Sequence, residues 1–385
     1  MPDVAAIRPF LEPRHVERAA EIARWTAREI ASRPHAGSDD EARREARALV
    51  GLLAAGGLYG AIRDADLRAC CLIRETLAAA SPLADAVFAL QALGTTPLLL
   101  AGGPEASRRA EAALRGEAIA AFAMTEPEAG SDVASLAASA RREGRGWVLR
   151  GTKTLISNAG LADFHVVFAS TSPGSGAKGV SAFIVPKEAP GLRFVRAQVL
   201  SEPHPLGELA FEDCRVGEES LLGEEGAGLR LGLATLDRLR ATVAAAACGL
   251  AARALEEALA HAATRRQFGA PLASHQIVRQ KLARMATDLA AARLLTYRAA
   301  WAKDSGAERV TLESAMAKSF ATEAAQRIVD DAVQIVGGRG VLAEHPVDRL
   351  YRCVRALRIY EGTTEIQQLL IAERLLADRG GGDRA

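Results

Sequence analysis

The sequence predicts a multi-domain α+β protein. An all-helical N-terminal domain is expected over residues 1–116, a β-barrel or sandwich domain over 117–223, and a helical bundle over 224–385. Three observations carry that expectation. The texture changes twice along the chain, from Ala-, Leu-, Arg- and Glu-rich to short apolar stretches between turns, and back. Of 48 basic residues 42 are Arg and 6 are Lys, while Ala alone supplies 81 positions, a composition that favours helices packed through small side chains. With 385 residues, 49% of them hydrophobic, the chain is long enough for two to three domains with sizeable cores.

From Pro13 to about Arg115, breaks at Pro34, Gly56-Gly57, Pro82 and Gly102-Gly103-Pro104 cut the helical texture into segments of ordinary length. From about Glu117 to Gly223, the stretches Trp147–Leu149, Phe164–Phe168, Val180–Val185 and Glu208–Phe211 are separated by Gly, Pro, Ser and Asp. They read as strands at hairpin-like spacing. After Gly228 the helices return, and Ser274–Lys303 and Val310–Val336 are long enough to pair in an antiparallel bundle.

The formal charge is only +1, so no global field exists to attract nucleic acid or an anionic membrane. Cysteines 70, 71, 214, 248 and 353 are odd in number and form no CxxC pair, which points away from a disulfide framework and towards a reducing cytoplasm. Met1–Arg18 lacks the apolar core of a signal peptide. Ala241–Ala252 is too short and Ala-rich to span a bilayer. The seven histidines have no ligand spacing, so no metal is expected. Gly174–Gly179 matches G-x-G-x-x-G, but a strand follows where a dinucleotide site needs a helix, so a hairpin loop is expected.

Two segments stand out. Phe122–Asp132 (FAMTEPEAGSD) is a turn-rich stretch with two hydroxyls at the start of the β region. By itself it reads first as an ordinary turn. Arg358–Gln367 (RIYEGTTEIQ) places Thr364 and Gln367 at capping-box spacing, so a helix is expected to start near Thr364. Glu361 then sits in a bent linker between Tyr360 and Gly362. A carboxylate held there beside apolar groups could have a raised pKa and act as a general base; taken alone, it reads first as a surface acid.

At these segments the chain resembles the acyl-CoA dehydrogenase family of flavoproteins over nearly its whole length. The ordered motifs are Thr125-Glu-Pro127 through Ser131-Asp132, Gly151-Thr-Lys153-Thr-Leu-Ile156-Ser157-Asn158, Arg265-Arg-Gln267-Phe268-Gly269, His275-Gln276, Gln334-Ile-Val-Gly337-Gly338 and Tyr360-Glu361-Gly362-Thr363. The resemblance implies FAD, a C-terminal four-helix bundle and α,β-dehydrogenation of an acyl-CoA thioester to the 2-enoyl-CoA. Glu361 matches the base that removes the α-proton, with the β-hydride going to flavin N5. Phe122, Met124, Thr125 and Ser131 match one flavin-contacting stretch, Ser131 also lying near the ligand, and Leu155, Ile156 and Ser157 match the second. Arg265, Gln267, Phe268, His275, Gln276, Gln334, Gly337 and Gly338 belong to motifs that hold the pyrophosphate and adenine end of FAD across a subunit boundary. Thr363 and Glu365 match contacts beside the base, and Asp237, Arg240 and Gly362 match positions facing the acyl-CoA. An electron-transfer flavoprotein as acceptor and a homo-oligomer built as a dimer of dimers are also implied.

The departures bear on substrate choice. Leu155 stands where many members carry Trp, and Gly56–Tyr59 runs into Arg63–Asp66 without the usual Pro-Glu-(Glu)-Tyr-Gly-Gly loop. Ser201–Gly207 (SEPHPLG) replaces a common Gly-x-Arg-x-Ser stretch, and Leu239 stands where some relatives place the base. Short, branched or cyclic acyl groups are therefore expected over long straight ones. A flavin oxidase or monooxygenase on the same fold is the alternative enzyme, and a non-catalytic assembly protein is a further one.

Overall fold

Helix boundaries fall where Pro, Gly and capping side chains stand. In the computed structural model, which describes residues 2–380, Pro13 opens α1 (Pro13–Glu29), at a position where its missing N–H costs nothing. The Ser38 hydroxyl accepts from the Glu41 amide to cap α2 (Asp39–Ala55). After the short α3 (Gly60–Arg63), Asp66 caps α4 (Leu67–Ala80) by accepting from the Ala69 amide at 2.9 Å. Prolines begin α5 (Pro82–Ala101) and α6 (Pro104–Leu114). Among the described residues α5 is the one helix long and apolar enough to cross a membrane, and 61% of its apolar window is buried within the protein. It is thus a more apolar candidate than Ala241–Ala252, and its burial accounts for its composition.

The middle of the chain forms one curled seven-stranded sheet: β1 (Ala120–Ala123), β2 (Ser139–Glu143), β3 (Gly146–Ser157), β4 (Phe164–Ser170), β5 (Val180–Pro186), β6 (Leu192–Ala197) and β7 (Leu206–Val216). Of the four expected strands, 164–168 and 180–185 pair as the hairpin β4–β5; the other two pair with strands not expected from the sequence, in β2–β3 and β6–β7, whereas β1 lies parallel to β4. Strands β4 and β5 are buried almost throughout, which explains their continuous apolar runs. The glycine loop Gly174–Gly179 joins β4 to β5 and is followed by a strand, as expected. Pairing of β3 with β7 shifts register twice, between Leu149 and Gly151 and between Lys153 and Ile156.

Helices return with α7 (Gly228–Thr264), the small hairpin of β8 (Arg266–Gln267) and β9 (Ala270–Pro271), then α8 (Gln276–Asp304), α9 (Thr311–Val336), α10 (Pro346–Val354) and α11 (Thr364–Gly380). The order helices, sheet, helices is that expected from the sequence. The chain divides into two units. The first comprises Met1–Pro34, Ala65–Asp85 and Asp237–Ala385, the second His35–Asp64 and Ala86–Leu236. In the first, α8 and α11 pack on α9, α4 packs on α8, and α1 packs on α4. Gly249 lets α7 approach α4 closely, because a Cβ there would collide with the Glu75 carbonyl. Beneath that crossing, the fully buried Glu75 carboxylate accepts from Arg293 Nε at 2.7 Å and the Tyr297 hydroxyl at 2.9 Å.

Asp66 ties α1 to α4. Besides capping, its carboxylate lies 3.1 Å from His15 Nε2 and 3.3 Å from an Arg14 nitrogen. Burial works to raise its pKa, but the His15 and Ala69 hydrogen bonds and the nearby charges outweigh it and hold it at about 2. A carboxylate with a depressed folded pKa stabilises the fold above its unfolded pKa and loses that contribution as pH falls towards the folded one. We therefore expect Asp66→Asn, which retains the cap, to cost roughly 2–3 kcal/mol at pH 7 and about half of that near pH 3. Urea unfolding at the two pH values checks this; an equal penalty at both would contradict it.

Candidate active site

The two stretches expected to contact a flavin lie side by side in the second unit. Met124 and Thr125 follow β1, and their carbonyls are taken by β3: Lys153 Nζ donates to Met124 O at 2.9 Å, and the Thr154 amide donates to Thr125 O at 3.0 Å. The fully buried Lys153 amine also pairs with Glu126 at 2.7 Å. Glu126 in turn accepts from the Ala137 and Ala138 amides. Burial pushes the Lys153 pKa down to about 8, with Glu126 opposing.

The register shift after Lys153 turns Leu155 outward at φ +54, leaving it 55% exposed. Bulges of this kind re-aim side chains at functional sites. Phe122 and Ser157 are half-buried, Met124 and Ile156 are buried, and Ser131 is exposed. Among the described residues the Thr125 and Ser131 hydroxyls make no hydrogen bond to the chain. An outward apolar side chain on a segment paired with that of the unpartnered Thr125 hydroxyl suits a flat ring with polar edges, so these residues fit a flavin.

The expected base lies in the first unit with Asp237, Arg240 and Gly362 of the residues expected to face acyl-CoA, while Ser131 lies in the second. Glu361 has φ +55 and precedes Gly362 at φ +92, a left-handed turn that costs a non-glycine residue energy and persists only when its surroundings hold it. Here they do. Lys318 Nζ, fully buried on α9, donates to Gly362 O at 2.6 Å, and Gln367 Nε2 donates to the same oxygen at 3.1 Å. A Cβ at position 362 would collide with Gln367 Nε2.

The Glu361 side chain is half-buried, but its Oε2 is fully enclosed and has no hydrogen-bond partner. Burial raises its pKa above the ordinary glutamate value, although Arg74, Lys318 and Arg240 each work to lower it and Asp85 adds to the rise. The three cations fail to win because they are engaged or buried themselves. Arg74 is clamped by Asp85 at 2.8 and 2.9 Å and donates to Thr242. Arg240 donates to Asp237 at 2.8 Å, leaving its buried Nε unpartnered, and Asp237 also accepts from Thr311. Leu239, one residue away, is buried and offers no acid.

The remaining expected cofactor residues project outward. Arg265, Gln267 and Gln276 are exposed, and His275 is half-buried. Phe268 sits at the hairpin tip, 96% exposed at φ +51, edge-on to His275. Gln334, Gly337 and Gly338 are exposed at the end of α9. The two groups share one end of the helices: burial lowers the His261 pKa, and both Arg265 beside the hairpin and Arg339 beside Gly338 add to that.

One local expectation needs correction. The cap of α11 is Thr363, whose hydroxyl accepts from the Ile366 amide at 3.3 Å. Thr364 is the first helical residue and donates instead to Glu323 at 2.7 Å. Gln367 spends its amide on the Glu361–Gly362 turn rather than on a capping box, so the helix start serves the turn. Glu365 is exposed. Arg74, Asp85 and Lys318 were missed from sequence; the available signal was charge inside apolar runs, Arg74 beside Glu75 in CCLIRETL, Asp85 in PLADAVFAL and Lys318 in AMAKSFA.

Comparison with known proteins bears on what these residues serve. Residues 121–214 match the family model for the acyl-CoA dehydrogenase middle domain, and residues 226–376 match that for the acyl-CoA dehydrogenase C-terminal domain. A protein of Mycobacterium tuberculosis named probable acyl-CoA dehydrogenase FadE25 is 37% identical over 377 residues, 95% of this chain and 96% of that protein. The human mitochondrial short-chain specific acyl-CoA dehydrogenase is 46% identical over 263 residues, covering 68% of this chain and 64% of the human protein. The solved butyryl-CoA dehydrogenase of Megasphaera elsdenii superposes with a TM-score of 0.87 at 30% identity, covering 95% of this chain and 99% of that one. The chain belongs to the acyl-CoA dehydrogenase family of FAD-dependent oxidoreductases.

Proposed function

We propose that the protein binds FAD and dehydrogenates a saturated acyl-CoA thioester to its 2-enoyl-CoA, with Glu361 as the base and an electron-transfer flavoprotein as the acceptor. The observation that carries this reading is the enclosed, unpartnered Glu361 Oε2 on a turn fixed by Lys318 and Gln367. FAD, when bound, supplies the acceptor for the hydride leaving Cβ.

Glu361 takes the Cα proton on its half-exposed carboxylate, whose Oε2 is shut away from any hydrogen-bond partner. A carboxylate with no hydrogen bonds at that atom and a raised pKa is a stronger base than an exposed glutamate, because the penalty of its buried charge is relieved on protonation. Its turn fixes the direction of attack, since the Gly362 carbonyl cannot swing without losing two donors. Asp237 and Arg240 line the acyl-CoA side, and Thr125, Ser131, Leu155 and Ser157 would hold the flavin ring. Leu155, smaller than the Trp of many members, and the altered stretch around Gly57 favour short, branched or cyclic acyl groups. The short-chain and butyryl relatives support that choice.

Four outcomes test this. Protein purified from cells is expected to be yellow, and its heat-released supernatant to contain one FAD per chain; well-folded protein that neither contains nor binds FAD would contradict the reading. Glu361→Gln is expected to keep FAD and slow anaerobic bleaching of the flavin band by an acyl-CoA by roughly 10²–10⁴-fold. In the native protein that rate is expected to rise with pH through an inflection above the ordinary glutamate range, since only the deprotonated carboxylate accepts a proton and burial raises its pKa.

The fourth outcome is assembly. Phe268, Ile277 and Val341, close in sequence to the expected pyrophosphate-binding residues, are 96%, 70% and 65% exposed, and exposed apolar side chains of this size support burial against another subunit. A homo-oligomer, a dimer of dimers, is expected in sedimentation, and a flavin-loaded monomer would remove the cross-subunit role of Arg265, Gln267 and Gln334.

A further inference from the structure

The SEPHPLG stretch that sets this chain apart lies against residues 154–158, which include the second flavin-contacting stretch, and together with Gln198 just before it makes four hydrogen bonds to them. Gln198, just after β6, accepts from the Leu155 amide at 2.8 Å and donates to the Thr154 hydroxyl at 2.8 Å. The Pro205 carbonyl accepts from the Asn158 amide at 2.9 Å. Between them, His204 Nε2 lies 3.0 Å from Ser157 Oγ. The stitched stretch contains two non-glycine residues in the left-handed region, Leu155 at φ +54 and Asn158 at φ +62, so its shape needs external holding.

The division of labour within this set is specific. Gln198 and Pro205 engage backbone amides and Thr154; His204 alone engages the side chain that the resemblance places against the flavin. Pro203 and Pro205 flank His204 and restrict the backbone that presents it. The imidazole is half-buried. Its surroundings keep it neutral: burial pushes its pKa down to about 4, Arg43 adds to this, and Asp39 opposes it. A neutral imidazole at Nε2 fixes the rotor of a hydroxyl that otherwise turns freely.

We propose that His204 is a positioning residue for bound FAD, acting through Ser157 by fixing the direction in which that hydroxyl faces the flavin ring. The inference rests on the proposed function insofar as Ser157 must meet a flavin. Replacing His204 by Ala leaves the Gln198 and Pro205 bonds in place, so the backbone of 154–158 keeps its shape while the Ser157 rotor is released. The consequence is a change in the environment of the flavin rather than loss of the fold.

The experiment uses the full-length holoprotein and its FAD-stripped form. Native protein, His204→Ala, Ser157→Ala, the double variant and His204→Gln are compared for FAD affinity, position of the bound flavin's visible bands and midpoint potential. The expected result is FAD binding weakened roughly three- to tenfold in His204→Ala, with shifted bands and potential. The same shifts are expected in Ser157→Ala, no further change in the double variant, and partial restoration in His204→Gln, which keeps a donor and an acceptor. Effects of His204→Ala and Ser157→Ala that add would overturn the proposal, as would a His204→Ala protein with native affinity, bands and potential. Should His204→Ala not fold, His204→Gln decides it: native-like stability with unaltered affinity, bands and potential in Ser157→Ala overturns the proposal, and altered values there with partly altered ones in His204→Gln support it. Native protein that binds no FAD at all would instead overturn the proposed function.

Discussion

The candidate site depends on one carbonyl oxygen. Gly362 O receives both the Lys318 amine and the Gln367 amide, and those two donors hold a left-handed turn that costs Glu361 energy to adopt. Fixing the turn encloses Glu361 Oε2 away from any hydrogen-bond partner. That enclosure raises its pKa against three nearby cations. The cost is an orphaned carboxylate oxygen and two buried charges, arrangements that a chain selected for stability alone would avoid.

The same device occurs twice. Only six residues are lysine against 42 arginines, and two of those six, Lys153 and Lys318, are fully buried. Each donates to a backbone carbonyl of a functional segment, Met124 O in one case and Gly362 O in the other, and burial pushes each amine down to about 8. An ammonium is a compact point donor on a slender stem, able to reach a single carbonyl through a packed interior. A guanidinium needs several acceptors in one plane, and the buried Arg74 accordingly spans Asp85 and Thr242. The choice of Lys at these two positions follows from the geometry of the acceptors.

Much of the fold was legible because its punctuation is local. Pro13, Pro82 and Pro104 open helices, and the β4 and β5 strands announce themselves as unbroken apolar runs. The parallel pairing of β1 with β4 was not legible, since nothing in either strand encodes a partner distant in sequence. Glu361 could be singled out from its Gly neighbour and the following helix start. The cap, however, shifted by one residue to Thr363 because Thr364 and Gln367 were drawn to tertiary partners, Glu323 and the Gly362 carbonyl. Arg74 and Lys318 escaped for the same reason: their roles are set by contacts from other helices. The SEPHPLG departure looked like a matter of substrate choice, but its hydrogen bonds run to residues 154–158.

The central claim is that Glu361 exchanges a proton with the α-carbon of an acyl-CoA, and exchange of that proton with solvent measures it most directly. Holoprotein incubated anaerobically in D₂O with an acyl-CoA that binds but whose β-hydride transfer is blocked by substitution at the β-position is followed by NMR at the α-carbon. The account predicts deuterium incorporation catalysed by the native protein and lost in Glu361→Gln, with FAD still bound in both. Exchange at the native rate in Glu361→Gln would contradict it, because another group would then be moving the proton.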